Sequence, residues 1–357
     1  TNKDLEKLNL HAGPLKIRGA IDADIKSADL DYLNGKINIV NLTIADAKQQ
    51  IVSDSISLIA IAKPDTTAIV VKSPFLNAAI RGKYKLSKIA TALQNSLATY
   101  YDVDPAKKKA VSEPQNFDFK MKIQNSPIIS QVLPEIKSME PILLSGRYNT
   151  VNDTIVINGQ IPKLVYGKNT ITNAVLAAKT EEKALDYSFI VDDIQNEQFQ
   201  LPYTAITGQL KDNVAAYNLQ LKDLKDVERY AISGTLKSGV GSSEVHLNPE
   251  NLVLNYEPWQ IAAENLLRFG TTGIYANKFK LSKSGSSILV QSESEKANAP
   301  LNVNFKDFKI ETISSIVEKS DLQISGNING DANIKNLKGD PNFTSDLNIA
   351  DFAFKKD

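Results

Sequence analysis

The chain has 357 residues, with 41 basic and 41 acidic side chains, so its formal net charge at neutral pH is zero. This balance offers no general electrostatic attraction for nucleic acid or for an anionic membrane. Cysteine is absent, which excludes disulfides and thiol chemistry, and no apolar run approaches the roughly 18 residues of a membrane-spanning helix. Because the chain opens at Thr1 and has no signal peptide, we expect it to be a piece of a longer protein.

Alternation of apolar and polar residues dominates the chain and predicts β-strands, because successive side chains of a strand point to opposite faces. The intervening turns are rich in Asn, Asp, Gly and Lys. The predicted strands cover residues 16–26, 36–44, 53–62, 66–71, 75–84, 117–123, 142–150, 154–161, 170–177, 185–191, 204–210, 215–221, 230–236, 244–247, 251–256, 273–281, 287–292, 301–308, 322–335 and 347–354.

Helical patterns are few and short. A helix at 87–101 is predicted by apolar residues at helical spacing, which are Leu86, Ile89, Ala90, Leu93 and Leu97. Two further helices are predicted at 127–139 and 311–319; each follows a Phe-containing strand and precedes a strand that contains Ser-Gly.

A loop is predicted at 102–116, which contains Pro105, Pro114 and three consecutive lysines. It divides the chain into a β-groove segment with one helix at 1–101 and a continued run of β-groove repeats at 117–357.

The segment 322–335 has the longest alternation, with small or apolar residues at the even positions and polar residues at the odd ones. A two-residue hairpin turn at Asn329-Gly330 is the alternative, because Asn-Gly is a strong turn signal. Such a turn would set Ile328 opposite Asp331 and mix the two faces. The pattern therefore favours one continuous strand with one apolar face.

A short motif with Gly two residues from an apolar residue on each side occurs seven times. The Gly marks a bend, a bulge or a close approach, or merely relieves crowding in a twisted sheet. The spacings between the copies are unequal, so they do not define a strict repeat. The candidate groove residues are the apolar residues that flank the motif glycines, together with Gly146, Gly159 and Ile334. They are Ile17, Ile21, Ile80, Tyr84, Leu144, Gly146, Tyr148, Ile157, Gly159, Ile161, Ile206, Leu210, Ile232, Leu236, Ile324, Ile328 and Ile334.

Two of these glycines belong to a predicted hairpin. A two-residue loop at Asn152-Asp153 would set Val151 opposite Thr154, and therefore Gly146 opposite Gly159. Two facing glycines would leave a bare spot on the apolar face of the sheet.

Catalytic or metal-binding constellations are not indicated. His11 and His246 are the only histidines, and neither has metal-ligand residues close in sequence. The acidic pairs Glu181-Glu182 and Asp192-Asp193 lie beside predicted turns, and a glycosidase would need a substrate cleft as well as such a pair. Because phosphate-binding loops and nucleophile elbows are also missing, we expect a non-enzymatic protein without a cofactor or metal.

Many strands with one apolar face leave that face in need of a cover. A sheet can fold onto itself as a sandwich or barrel, or it can curl into a trough that holds an apolar ligand. The fold class is therefore all-β with a few short helices, either as an elongated, curled β-sheet groove or as a β-sandwich.

Three groups of residues resemble a known family: Leu133-Pro134 with Leu143-Leu144-Ser145-Gly146-Arg147-Tyr148, Asp153, Ile155-Val156-Ile157 and Gly159; Leu252-Val253-Leu254 with Trp259 and Phe279-Lys280-Leu281; and Phe305-Lys306-Asp307-Phe308 with Ser325-Gly326 and Gly330. They are similar to the central repeats of TamB-type proteins, which belong with AsmA-like and bridge-like lipid-transfer proteins. The resemblance extends over most of the chain from about residue 17, and the richness in Asn, Lys and Ile is similar to homologues from the Bacteroidetes.

The resemblance implies a periplasmic β-taco, an elongated trough with an apolar interior that carries phospholipid acyl chains between the inner and outer membranes. Outer-membrane biogenesis is the associated process. The implied partners are the inner membrane and an outer-membrane barrel of the Omp85 type, through an anchor and a carboxy-terminal domain that this chain does not contain. The alternative is a structural or carbohydrate-binding module, a β-sandwich or adhesin stalk, which predicts a closed core, exposed aromatic residues and no open groove.

Overall fold

A computed structural model of the chain describes residues 16–45, 50–105, 107, 113–197, 200–271, 273–296, 298–314, 322–338 and 340–356. Within these ranges the protein is all-β with three short α-helices, which confirms the predicted class. The strands form antiparallel sheets, and the sheets of the described residues do not close into a barrel.

The described residues of 16–96 and 113–180 form one compact unit, here the first unit. Its strands pair in the order β1–β2–β3–β4–β5–β6–β8–β9–β10, and β7 pairs with β9. Their bounds are β1 (Lys16–Ser27), β2 (Asn34–Ala45), β3 (Gln50–Lys63), β4 (Thr66–Lys72), β5 (Leu76–Lys83), β6 (Asn116–Ile123), β7 (Ile136–Met139), β8 (Ile142–Asn149), β9 (Thr154–Tyr166) and β10 (Asn169–Glu181). Helix α1 (Ile89–Tyr100) follows a 3-10 turn at Leu86–Lys88, and helix α2 covers Pro127–Val132.

The described residues of 97–107 and 181–356 form the second unit. One of its sheets pairs β11–β12–β13–β14–β15–β19–β20, with β16 and β17 attached to β14. The other pairs β18–β21–β22–β23–β24–β25. The bounds are β11 (Ala184–Gln195), β12 (Gln200–Lys211), β13 (Val214–Lys222), β14 (Glu228–Gly239), β15 (Ser242–Leu247), β16 (Val253–Leu254), β17 (Glu257–Pro258), β18 (Gln260–Ile261), β19 (Leu266–Gly270), β20 (Gly273–Asn277), β21 (Phe279–Lys283), β22 (Ser286–Ser292), β23 (Leu301–Lys309), α3 (Glu311–Ser314), β24 (Leu322–Lys335) and β25 (Asn342–Lys356).

Strand β24 is continuous over 14 residues, as its alternation predicts, and Asn329-Gly330 forms no turn. Ile328 lies opposite Phe308 of β23 and Ile349 of β25, so the even positions share a face with apolar residues of both neighbours.

The helix predictions have different outcomes. The helix at 87–101 is confirmed by α1. The prediction at 127–139 is wrong beyond Val132, because β7 occupies Ile136–Met139. Pro134 has no N–H to continue the helix, and it pushes the preceding residue away from helical backbone angles. The third helix is confirmed at Glu311–Ser314, and its remainder, 315–319, lies outside the described residues.

The predicted loop at 102–116 is described in part. Its described residues up to 115 contain neither helix nor strand, and β6 begins at Asn116.

The predicted pairing of Gly146 with Gly159 is wrong. Gly146 lies opposite Ile157, and Gly159 lies opposite Leu144, because a four-residue turn at 150–153 replaces the predicted two-residue loop. Thr150 is held outside the ladder by the backbone of Gln115: Thr150 N donates to Gln115 O, and Gln115 N donates to Thr150 Oγ1, both at 2.9 Å. The register moves by two residues, so each side chain keeps its predicted face.

An aromatic side chain of the preceding strand covers each of three motif glycines. Phe119 lies opposite Gly146, Tyr187 opposite Gly208, and Tyr217 opposite Gly234. A Cβ on Gly146 would lie 2.6 Å from Cε1 of Phe119, and a Cβ on Gly208 or Gly234 would meet the tyrosine hydroxyl at 2.7 or 2.8 Å. The glycines therefore mark a close approach by an aromatic ring, and the predicted bare spot is occupied.

The two units cover their apolar faces differently. In the first unit, α2 places Ile128 and Val132 against Leu42, Ile44 and Ile51. In the second unit, residues of both sheets meet in one core, which includes Leu221, Tyr230, Leu252, Leu254, Trp259, Ile261 and Phe308. Trp259 packs against Phe308 with ring centroids 5.8 Å apart.

We expect Gly146→Ala to destabilise the protein by roughly 1–3 kcal/mol, because the new Cβ would collide with the Val156 carbonyl and with Phe119. Gly159→Ala is the matched control: its Cβ would lie 3.3 Å from Leu176 Cβ, and the lower entropy of the unfolded chain offsets the small adjustment. Urea unfolding measures both. Equal losses at the two positions would contradict the observed register.

Candidate functional site

The apolar face of the first unit is built from every second residue of its strands. One row across neighbouring strands runs through Ile69, Ile80, Phe119, Gly146 and Ile157. The next row contains Thr67, Gly82, Phe117, Tyr148 and Ile155. Ring centroids of Phe117 and Tyr148 are 5.4 Å apart, so the second row carries packed aromatic side chains.

Helix α1 contributes to the cover of this face. Ala92 is completely buried, and Ser96 Oγ lies 2.7 Å from the hydroxyl of Tyr148, within hydrogen-bond distance. The turn before the helix is fixed by Asp31 of the β1–β2 connection, whose carboxylate accepts from Ser87 N at 2.8 Å and from Ser87 Oγ at 2.7 Å. These hydrogen bonds lower the pKa of Asp31, so the carboxylate is ionised at neutral pH.

Between this helical segment and the sheet lies a cavity of about 410 Å³, here the apolar cavity. Its volume falls in the range of small-molecule sites, roughly 300–1,000 Å³. The lining side chains of the apolar face and of the helix are Ile69, Val71, Ala78, Ile80, Leu86, Ile89, Leu93, Phe117, Phe119, Met121, Tyr148, Ile155 and Ile157.

The apolar cavity offers almost no polar chemistry. Tyr148 is its single ionisable residue on the apolar face; burial raises the pKa of this phenol, and its hydroxyl is engaged with Ser96. Lys120 and Arg147 also border the cavity but occupy alternate positions of β6 and β8, and Arg147 Nε donates to Asp118 at 2.7 Å. The arrangement can hold an apolar ligand, and it has no nucleophile or acid–base pair.

The predicted groove residues of the first unit do not share one location. Ile80, Tyr148 and Ile157 line the apolar cavity, and Gly146 lies in the same row as Ile80 and Ile157. Leu144, Gly159 and Ile161 continue the same face toward β10, where Gly159 lies opposite Leu176 and Ile161 opposite Ala174. Tyr84 borders a different cavity, whose lining includes four lysines.

Strand β1 lies at one edge of this sheet. Ile21 is paired with Ile39 and is 65% exposed, so the apolar face is uncovered at this strand. Ile17 is paired with Ile44, and its side chain is outside the described part.

The remaining predicted residues belong to the second unit. Ile206 and Ile232 flank Leu219 in one row, and Leu210 and Leu236 flank Ala215 in another. Ile232 packs against the closed core, whereas Ile206 is exposed. On β24, Ile324, Ile328 and Ile334 are partly buried and lie opposite Phe354, Ile349 and Phe343 of β25.

Sequence reasoning did not assign most of the cavity wall. The sequence predicted Phe117 and Phe119 to lie in a strand, and it placed Leu86, Ile89 and Leu93 at helical spacing. The contact between this helix and this strand depends on the path of the chain that connects them. The spacing of apolar residues does not predict that path.

Comparison with protein-family models, curated proteins and solved structures finds no significant match to this chain. Among the described residues, no helix is both long and apolar enough to cross a membrane. No group of three or more His, Asp or Glu side chains in these ranges is arranged to hold a metal ion.

We expect Leu93→Ala to cost about 1–2 kcal/mol, because Leu93 borders unfilled space and Ala favours the helix. Leu252→Ala, in the closed core of the second unit, is the control and is expected to cost roughly 3–5 kcal/mol. Unfolding free energies from urea titration provide the comparison. A loss at Leu93 as large as that at Leu252 would argue that the space is filled by tightly packed side chains.

Proposed function

We propose that this chain is a lipid-binding groove segment of a TamB-type, bridge-like lipid-transfer protein and is not an enzyme. The observation that carries the proposal is the apolar cavity of about 410 Å³ on a long antiparallel sheet. An acyl chain gains about 0.8 kcal/mol for each methylene that it buries, so even a short buried segment gives useful affinity.

The uncovered part of the same face also supports a groove. Ile21 and Ile25 are 65% and 45% exposed, although their strand neighbours Ile39 and Gly35 continue the apolar face of the sheet. Exposed apolar surface of this kind is typical of binding sites. The hydroxyl of Tyr148, the polar group on the cavity face, is engaged with Ser96, which supports an unselective site for the acyl part of a lipid.

The resemblance to TamB-type proteins supports a wider role. In this proposal the chain is periplasmic and forms part of a path for phospholipids between the inner and outer membranes. The path serves outer-membrane biogenesis, with the inner membrane and an Omp85-type barrel as partners of regions outside this chain. No cofactor is required, since movement along an apolar face breaks no covalent bond.

A structural or carbohydrate-binding module is the second candidate, and the second unit provides an observation in its favour. Residues from both sheets pack around Trp259 in a closed core, as a β-sandwich would require. A cavity of about 610 Å³ beside it has polar side chains, including Asn218, Gln220 and Asn251, that suit sugar hydroxyls. However, Trp259 is only 4% exposed, which leaves its ring no free face on which a sugar could stack.

A photo-crosslinking side chain at Ile157 tests the proposal, with one at Val175 as the control. Ile157 lines the apolar cavity, whereas Val175 is 45% exposed on the opposite face of neighbouring β10. With chain made in a Gram-negative host, we expect lipid adducts from Ile157 and few from Val175, identified by extraction and mass spectrometry. Equal adducts at both positions, or none at either, would refute the groove and favour the closed module.

A further inference from the structure

A second cavity of the first unit, here the lysine cavity, has a volume of about 880 Å³. It lies at the end of the strands that build the apolar cavity. Thr67 borders the lysine cavity, and Ile69, two residues further on the same face of β4, borders the apolar cavity. Gln115 and Asn116 border the lysine cavity, whereas Phe117 lines the apolar one. The two cavities are therefore neighbours along the same strands.

The charges around the lysine cavity do not balance. Its lining contains four lysines but two carboxylates, those of Asp31 and Glu113. Lys85 Nζ is 2.7 Å from Glu113, and the Asp31 carboxylate is bound by Ser87. Lys26 and Lys63 have no ion-pair partner within the described ranges. The lining thus presents positive charge that an anion would neutralise.

Tyr84 provides a hydrogen-bond donor at the boundary of the two cavities. Its side chain is 5% exposed, and its hydroxyl has no hydrogen-bond partner in the part of the chain that the structure describes. Its ring packs edge-on against Phe117 with centroids 5.7 Å apart. Burial raises the pKa of Tyr84 to about 12, so the hydroxyl keeps its proton at neutral pH. A buried donor without an acceptor is costly and indicates a missing partner.

Buried Gln115 makes no hydrogen bond to this hydroxyl, and its amide bonds to backbone groups of the cavity wall. Its Oε1 accepts from Lys85 N at 2.9 Å, and its Nε2 donates to Glu113 O at 3.1 Å. These two bonds instead fix the chain segments that carry Lys85 and Glu113 at the wall of the cavity.

We propose that the lysine cavity binds the anionic head of an amphiphile, with Lys26, Lys63 and the Tyr84 hydroxyl as its ligands, while an acyl chain of the same molecule enters the apolar cavity. This inference rests on the proposed lipid groove. It adds selectivity that the apolar cavity lacks, since a neutral lipid with the same acyl chains would offer Tyr84 only an uncharged, weaker acceptor and would leave both lysines uncompensated. The ligand class is an anionic phospholipid.

The test compares Kd values of the full chain for phosphatidylglycerol and for diacylglycerol with identical acyl chains. We expect phosphatidylglycerol to bind about tenfold more tightly, the order expected for hydrogen bonds to a charged group. The variant Lys26→Gln/Lys63→Gln should reduce this preference to about threefold, the part that the Tyr84 hydrogen bond supplies. The charge-matched control Lys72→Gln/Lys122→Gln, at exposed positions outside both cavities, should retain it.

Tyr84→Phe provides a separate test, because it removes only the hydroxyl. We expect it to weaken phosphatidylglycerol binding about threefold more than diacylglycerol binding, and not to lower the Tm, since no hydrogen bond of the free protein is lost. A lower Tm with unchanged binding would show a structural role and would overturn the assignment of Tyr84.

The failure of this inference can be told apart from failure of the proposed groove. Equal affinities for the two lipids, both weakened by Ile157→Asp in the apolar cavity, would overturn the anionic site and leave the groove intact. Binding of neither lipid would overturn the groove. Inorganic phosphate that binds as tightly as phosphatidylglycerol would show a simple anion site and overturn the amphiphile.

Discussion

The structure depends on one constraint: each long strand has an apolar face that must be covered. The backbone groups are satisfied by the antiparallel ladders, so this face decides how the sheets are arranged. The first unit uses the short helix α2 and the first part of α1, which leave the apolar cavity open beneath α1. The second unit uses another sheet, and the aromatic rings of Trp259, Phe305 and Phe308 fill its interior. One alternation pattern thus leads to a cavity in one unit and to a packed core in the other.

The glycines take part in this arrangement through their aromatic neighbours. In the second unit Tyr187, Gly208, Tyr217 and Gly234 follow one another across four strands, so rings and glycines alternate in one row. Tyr187 Oη also donates to the Ala216 carbonyl at 3.0 Å, which fixes the ring over Gly208. A Cβ on either glycine would collide with the neighbouring ring, whereas a ring beside a glycine fills the space of both. The packing of this row therefore depends on both members of each ring–glycine pair.

Alternation was sufficient to predict most of the strands and their faces, because a period of two follows from strand geometry alone. It did not predict β7 or β19, and it merged β20 and β21, which belong to different sheets, into one strand at 273–281. It correctly predicted β24 as one continuous strand. It also placed Gly146 and Gly159 on the same face, although the predicted register of their hairpin was wrong by two residues. The error arose because the length of the 150–153 turn is set by Gln115, a residue of another strand connection. The lysine cavity was not predicted for the same reason, because Lys26, Lys63 and Tyr84 are far apart in sequence. In addition, a net charge of zero gives no indication of a local excess of lysine. Features made by residues from different hairpins require the register of all the intervening strands.

The irregular points of the ladders determine where the chain can tolerate insertions. Within β24 a single added residue would turn every following side chain to the opposite face and would expose Ile328 and Ile334 together. At the register shift between Ser325 and Asn327, Gly326 faces two residues of β25, Asp351 and Phe352, so β25 already contains one extra residue there, and Asp351 has φ of +53°. A bulge absorbs a change of one residue without reversing the strand beyond it. Length variation in this sheet is therefore confined to its bulges and hairpin loops, and the regular stretches between them can lengthen only in steps of two.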